Sequence, residues 1–140
     1  MEIKNKYRKK KISDEQRELN RWVMDLGNYL IQEKGLDFRT ALRKAHLTKN
    51  LLKALGKGAV RFSFRKQDGT LRTALGTLAH GICAEYDAYG YVGNEVIDDF
   101  VEWPYSHFVY WDIEKRGFRS FLSENLEDYI EVKEKEENLC

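Results

Sequence analysis

Residues 60–78, VRFSFRKQDGTLRTALGTL, alternate apolar and polar side chains, break at Asp68-Gly69, and alternate again. Period-two alternation marks a strand with one buried face, and Asp-Gly between two such runs marks a tight turn. The stretch therefore predicts a β-hairpin. Val60, Phe62 and Phe64 share one face of its first strand, and Arg61, Ser63 and Arg65 share the other. Gly76 interrupts the return strand, where an isolated glycine predicts a bulge or tight bend. Residues 79–84 are expected to continue that strand. Further on, HFVYWDIEKRGFRSFL (107–122) predicts a second hairpin that turns near Glu114 to Gly117. Val109 to Ile113 carries apolar residues on both sides, the pattern of a strand buried on both faces. Residues 125–132 add one more short element.

Upstream of the hairpin the period becomes helical. Ser13-Asp14-Glu15-Gln16 matches a capping box. Leu19, Trp22, Val23, Leu26, Tyr29 and Leu30 then form one apolar stripe, read as core, which Gly35 is placed to end. Asp37 is an N-cap for a second helix over 37–46. Thr48 is expected to cap a separate short turn carrying Leu51, Leu52 and Leu55, and Gly56 and Gly58 to break the pattern. From 39 to 57 the chain holds Arg39, Arg43, Lys44, Lys49, Lys53 and Lys57 and no acid. Such a segment attracts phosphate, or faces the acidic half of its own chain.

That acidic half is real, although the formal net charge is only +1. Residues 1–83 hold 19 Lys/Arg against 8 Asp/Glu, and residues 84–140 hold 5 against 15. The asymmetry points to an anionic partner for the first half, or to attraction between the halves. The organisation expected is a basic arm and N-terminal helices over 1–57, a β domain over 58–132, and a charged tail over 133–140. The β domain carries an acidic, tyrosine-rich insertion at 85–102, with a short helix near 95–101.

No catalytic signature is visible. His46, His80 and His107 are scattered outside zinc-hydrolase spacing, and there is no nucleophile elbow or Walker loop. No metal or cofactor is expected, and the chain is read as a non-enzyme. Cys83 and Cys140 lie far apart outside any C-x-x-C pair, which argues against a disulfide framework or zinc ribbon. Cys83 is read as a small buried hydrophobe in a strand and Cys140 as a loose thiol. No apolar run is long enough to span a membrane, and a cytoplasmic, reducing setting is expected.

Binding is better supported. Arg61, Arg65, Lys66, Arg72 and Arg119 lie on or beside the expected strands. Guanidinium groups on the outside of adjacent strands would form a basic ridge able to grip phosphate bidentately. Phe62, Phe64, Trp111 and Phe118 are interleaved and could stack on bases. Phe62 and Phe64 are read as filling the interior, and Trp111 is left open.

The stretch GKGAVRFSFRKQDGTLRTALGTL, with YWDIEKRGFRSFLSENL further on, resembles the second WYL-type family. These are small proteins with an Sm-like SH3 β-barrel, common in bacteriophages, mobile elements and some bacteria. The shared features are the strand before the Lys-x-Asp-Gly-Thr turn, Arg72 after it, Gly76-Thr77-Leu78, and Phe118 to Phe121. ALRKAHLTKNLLKALGKG resembles the family's lead-in helix, so the likeness covers roughly residues 37–126. The helix before residue 35 and the insertion at 85–102 depart from it. The resemblance implies an α+β fold, with N-terminal helices packed on a small Sm-like, SH3-like antiparallel β-barrel. Related WYL domains are regarded as ligand-sensing or nucleic-acid-binding modules, an analogy that points to Arg61, Arg65, Arg72, Arg119 and Ser120.

The expected function is a non-enzymatic binding module of phage or bacterial origin. It would take nucleic acid or a phosphate-bearing nucleotide through Arg61, Arg65, Lys66, Arg72, Trp111, Arg119 and Ser120. One alternative is a phage anti-defence protein in the host cytoplasm, sequestering a nucleotide immune signal or inhibiting a host defence protein. Another is a structural protein that assembles by homo-oligomerisation.

Overall fold

The computed structural model describes residues 12–89 and 106–132. Residues 1–11 of the basic arm, 90–102 of the acidic insertion with its expected helix at 95–101, and the 133–140 tail lie outside the described residues.

Helix α1 (Asp14–Lys34) begins where the capping box places it: Ser13 Oγ accepts from Gln16 N–H at 3.1 Å. Gly35, at φ 71°, ends it. Val23, Leu26 and Leu30 of the apolar stripe are buried. Helix α2 (Phe38–Lys57) starts at Asp37, whose carboxylate accepts from Thr40 N–H at 3.2 Å. It is one helix, not a helix followed by a separate turn. The Thr48 hydroxyl donates to the Lys44 carbonyl at 2.8 Å, within α2 itself, and meets Ser123 Oγ at 2.5 Å. Threonine favours caps because its hydroxyl competes for backbone groups. Here the competition is satisfied by the carbonyl one turn back, so the helix runs on.

Strands β1 (Val60–Arg65) and β2 (Leu71–Thr77) form the predicted hairpin, in register from Val60 opposite Gly76 to Arg65 opposite Leu71. Gly69 takes φ 86°, and its N–H reaches the Lys66 carbonyl at 2.9 Å. The loop is thus a turn closed by a left-handed glycine, the three-residue hairpin type. Gly76 is not a bulge. It pairs regularly with Val60 and Asp112, and a Cβ there would stand 2.7 Å from Tyr110 Cδ2. Its glycine permits ring packing. The sheet's irregularity lies instead between Ser63 and Phe64, facing the last strand.

The expected continuation of β2 through 79–84 does not occur. Thr77 Oγ1 donates to the Gly58 carbonyl at 2.9 Å and accepts from Ala79 N–H at 3.1 Å, turning the chain out of the sheet. Gly81, at φ 89°, completes the bend, and its N–H is held by the Asp87 carboxylate at 3.0 Å. Cys83 then opens a short helix, α3 (Ala84–Ala88). It is buried and disulfide-bonded, which corrects its reading as a lone apolar thiol.

Strands β3 (His107–Asp112) and β4 (Gly117–Leu122) form the second hairpin, and β3 is buried on both faces as its sequence predicts. A single 3-10 turn (Ser123–Asn125) leads into β5 (Leu126–Glu131), which returns to pair with β1. The antiparallel order is β4-β3-β2-β1-β5. The fold is therefore α+β as expected, and among the described residues the sheet is open in its hydrogen bonding, with β4 and β5 at its edges. The sheet curls strongly, since Phe64 of β1 and Phe121 of β4 bring their rings within 6.0 Å.

The concave face of this curl is the core. Phe62, Phe64, Phe108, Tyr110 and Phe121 pack there with Leu30, Leu51 and Leu55 of the helices. Complete burial of each such leucine contributes about 1.5–3 kcal/mol. Lys44 crosses from α2 to the sheet, its Nζ donating to the Leu126 carbonyl at 2.5 Å, with Glu127 3.8 Å away. Burial pushes the Lys44 ammonium pKa down, and Glu127 opposes that. A second cluster, with Leu75, Ile82, Tyr86, Trp111 and Ile113, covers the convex face. Among the described residues no helix is long and apolar enough to cross a membrane.

Candidate functional site

Directly opposed residues in an antiparallel pair share a face of the sheet. Arg72 lies opposite Phe64, and Arg119 opposite Tyr110. Phe64 and Tyr110 both belong to the inner core. Arg72 and Arg119 are therefore inward-facing residues at the end of the concave face. The β2–β3 ladder is confined to Gly76–Asp112 and Thr77–Trp111, so the start of β2 parts from β3. A cleft of about 570 Å³ opens there, lined by the hairpin tip at Arg65, Lys66 and Gln67, by Arg72, His107 and Tyr110, and by residues 119–122. Lys34 of α1 and Asn125 complete it.

Five of the predicted site residues thus converge: Arg65, Lys66, Arg72, Arg119 and Ser120. Two do not. Arg61 alternates with Phe62 and so sits on the convex face, half exposed, 3.7 Å from Glu114. Trp111 is 3% exposed on that same face, edge-on to Phe118 at 5.1 Å and beside Tyr86 at 5.9 Å. It is core, as are Phe62 and Phe64. The outer ridge is replaced by an inner cleft. The described beginning of the acidic insertion, with Tyr86 and Tyr89, packs on Trp111 and Phe118, away from this cleft.

The cations around the cleft differ in their partners. Arg72 donates to Asp112 Oδ2 at 2.6 Å, and Asp112 is fully buried. The other oxygen of Asp112 accepts from Lys115 N–H at 2.8 Å. A buried carboxylate needs both a counter-charge and hydrogen bonds, and Asp112 has both. Arg65 Nε lies 3.5 Å from Glu127, and Lys34 Nζ lies 3.2 Å from Glu124. Arg119 donates to the Phe118 carbonyl at 2.9 Å. Among the described residues neither Arg119 nor Lys66 has a carboxylate within ion-pair distance.

Beneath them lies Tyr110, with no exposed surface. Burial pushes its phenol pKa up to about 12, with Asp112 adding to the rise and Arg72 and Arg119 opposing it. The hydroxyl is therefore a protonated donor at neutral pH. Among the described residues, it is one of four buried polar side-chain atoms without a hydrogen-bonding partner of sound geometry, with Arg72 Nε, Ser106 Oγ and Glu124 Oε1. Burial also pushes the His107 imidazole down, against the pull of Glu124, so this ring adds no charge near neutrality. The arrangement is a basic recess over an uncharged floor, suited to holding an anion. Among the described residues no cluster of His, Cys, Asp and Glu is grouped to hold a metal ion.

Sequence reasoning missed Asp112, Tyr110, His107 and Lys34. A signal existed for Asp112, an acid inside an otherwise apolar strand, Phe108 to Ile113. None existed for Lys34, which reaches the cleft from a helix remote in sequence.

Residues 48–127 match the model of the WYL_2 family, described as having an Sm-like SH3 beta-barrel fold. The match runs from mid-α2 into β5 and contains every cleft residue except Lys34. No curated protein and no solved structure matches the chain.

Proposed function

Given that the chain belongs to the WYL_2 family of Sm-like SH3 β-barrel proteins, we propose that it is a non-enzymatic binding module whose cleft holds a phosphate-bearing ligand, nucleic acid or nucleotide. In this reading the curled sheet is the family's barrel and the cleft is its open end. The observation that carries the proposal is the convergence of Arg65, Lys66, Arg72, Arg119 and Ser120 on one recess of about 570 Å³. That volume is within the range of small-ligand sites. Arginine and lysine supply charge-assisted donors to phosphate oxygens. Equilibrium binding of labelled nucleotides and oligonucleotides tests it. Lys66→Ala with Arg119→Ala should abolish binding without altering the melting temperature, and ligand should be recovered chemically unchanged. Full binding by that double variant would refute the site.

An assembly role is the second reading. The open edges β4 and β5 favour it, as does Ile130, 70% exposed on β5. Light scattering on the purified chain decides: a monomer at high concentration removes it.

A further inference from the structure

The charge balance of the cleft narrows the class of ligand, on the premise that the cleft is a binding site as proposed above. Arg72 has Asp112, Arg65 has Glu127, and Lys34 has Glu124. Three of the five cations around the recess are thereby offset by the chain's own carboxylates. Lys66 and Arg119 line the recess with no carboxylate within ion-pair distance among the described residues, Asp68 acting on Lys66 only from farther along the same turn. They come from opposite walls, Lys66 from the β1–β2 loop and Arg119 from β4, so both can address one group lying between them. A phosphomonoester carries about −1.5 to −2 charges near pH 7 and three acceptor oxygens. A phosphodiester carries one charge. A nucleic-acid strand needs a succession of unpaired cations along its backbone, commonly about 6–10 phosphate contacts for tight binding. The recess is instead a local well with two cations outside any ion pair among the described residues, and its volume of about 570 Å³ leaves room for one sugar or nucleoside beyond the phosphate.

We infer that this cleft takes a small molecule ending in a single phosphomonoester, a nucleoside monophosphate or sugar phosphate, and not a nucleic-acid strand. Lys66 and Arg119 hold the phosphate from the two walls. Arg72, kept in place by Asp112, gives positive potential at the floor without adding net charge.

Isothermal titration of the full chain at low salt tests this with five probes: 5′-AMP, ribose 5-phosphate, 3′,5′-cyclic AMP, adenosine and a short unphosphorylated oligodeoxythymidylate. At least one of the two monoesters should bind about tenfold or more tightly than cyclic AMP, since hydrogen bonds between charged groups are worth that factor or more. Adenosine should not bind. Lys66→Ala and Arg119→Ala, both solvent-facing changes, should each weaken the monoester about tenfold, while Arg61→Ala leaves it unchanged. Cyclic AMP equal to both monoesters, or an oligonucleotide that binds as tightly and is lost in the same two variants, overturns the monoester inference while leaving the cleft a binding site. Failure of every probe to bind removes both the inference and the proposed function.

Discussion

Replacing Arg72 by methionine is expected to cost more stability than replacing Asp112 by asparagine, although the two side chains form one ion pair. The reason is their unequal access to water. The Arg72 side chain is 27% exposed and Asp112 is 0% exposed. With Arg72 gone, the Asp112 carboxylate remains buried with the Lys115 N–H as its one remaining donor among the described residues. Orphaning a buried charge in this way costs about 3–5 kcal/mol. With Asp112 changed to asparagine, the guanidinium can swing into the cleft and be hydrated, and the amide oxygen can still accept from Lys115. The loss is then about 1–2 kcal/mol, the scale of one hydrogen bond with a partly exposed charged partner. Urea unfolding near pH 7, followed by tryptophan fluorescence and by far-ultraviolet dichroism, measures both, and coincident curves justify two-state values. The double variant closes a thermodynamic cycle and should be more stable than Arg72→Met alone, since the orphaned charge is then gone. Equal losses for the two single variants, or a loss below about 1 kcal/mol for Arg72→Met, would refute the dependence of Asp112 on Arg72.

Gly76→Ala should destabilise by about 1–3 kcal/mol, because its Cβ would press on Tyr110 Cδ2 at 2.7 Å and Phe62 Cε1 at 3.1 Å; thermal melts read the loss directly. Tyr110→Phe should cost less than about 1 kcal/mol near neutrality, as the hydroxyl it removes has no partner of sound geometry among the described residues. Its effect appears in alkali: the raised phenol favours the folded state below pH 10, and that contribution is lost as pH climbs towards about 12, so the wild type should lose up to about 2–3 kcal/mol there that the phenylalanine variant keeps. His107 has the opposite sense. Its depressed imidazole contributes stability above pH 6.5 that disappears as pH falls through its lowered folded value, and urea midpoints of His107→Gln should be flatter than wild type on acidification. Thr48→Val should cost about 1–3 kcal/mol by leaving Ser123 Oγ without its buried partner, against a near-neutral Thr48→Val/Ser123→Ala double variant in chemical denaturation.

Local signals were legible in the residues because their causes are local. The Ser13 and Asp37 caps, the Gly35 stop, the Asp68-Gly69 turn and both hairpins depend on neighbours within a few positions, and all stand where the pattern puts them. Thr48 and residues 79–84 were misread for the complementary reason. Thr48 meets Ser123, and Thr77 meets Gly58, across long separations, and those bonds overrode cap and strand preferences.

The same division governs the cleft. Composition and spacing alone identify Arg61, Arg65, Lys66, Arg72 and Arg119 as a basic set on two hairpins, and the family that the pattern resembles adds Ser120. They do not say which face each side chain takes. That depends on the register, which pairs Arg72 with Phe64 and Arg119 with Tyr110 and turns both arginines inward, while Arg61 stays outside. It depends also on the curl, which carries Asp112 to Arg72 across 40 residues of chain. Alternation along a strand is a property of the chain. The meeting of two strands' charged ends, and which charges remain unpaired there, is a property of the folded sheet, because only closure of long loops around a shared aromatic core brings those groups within a few ångströms of one another.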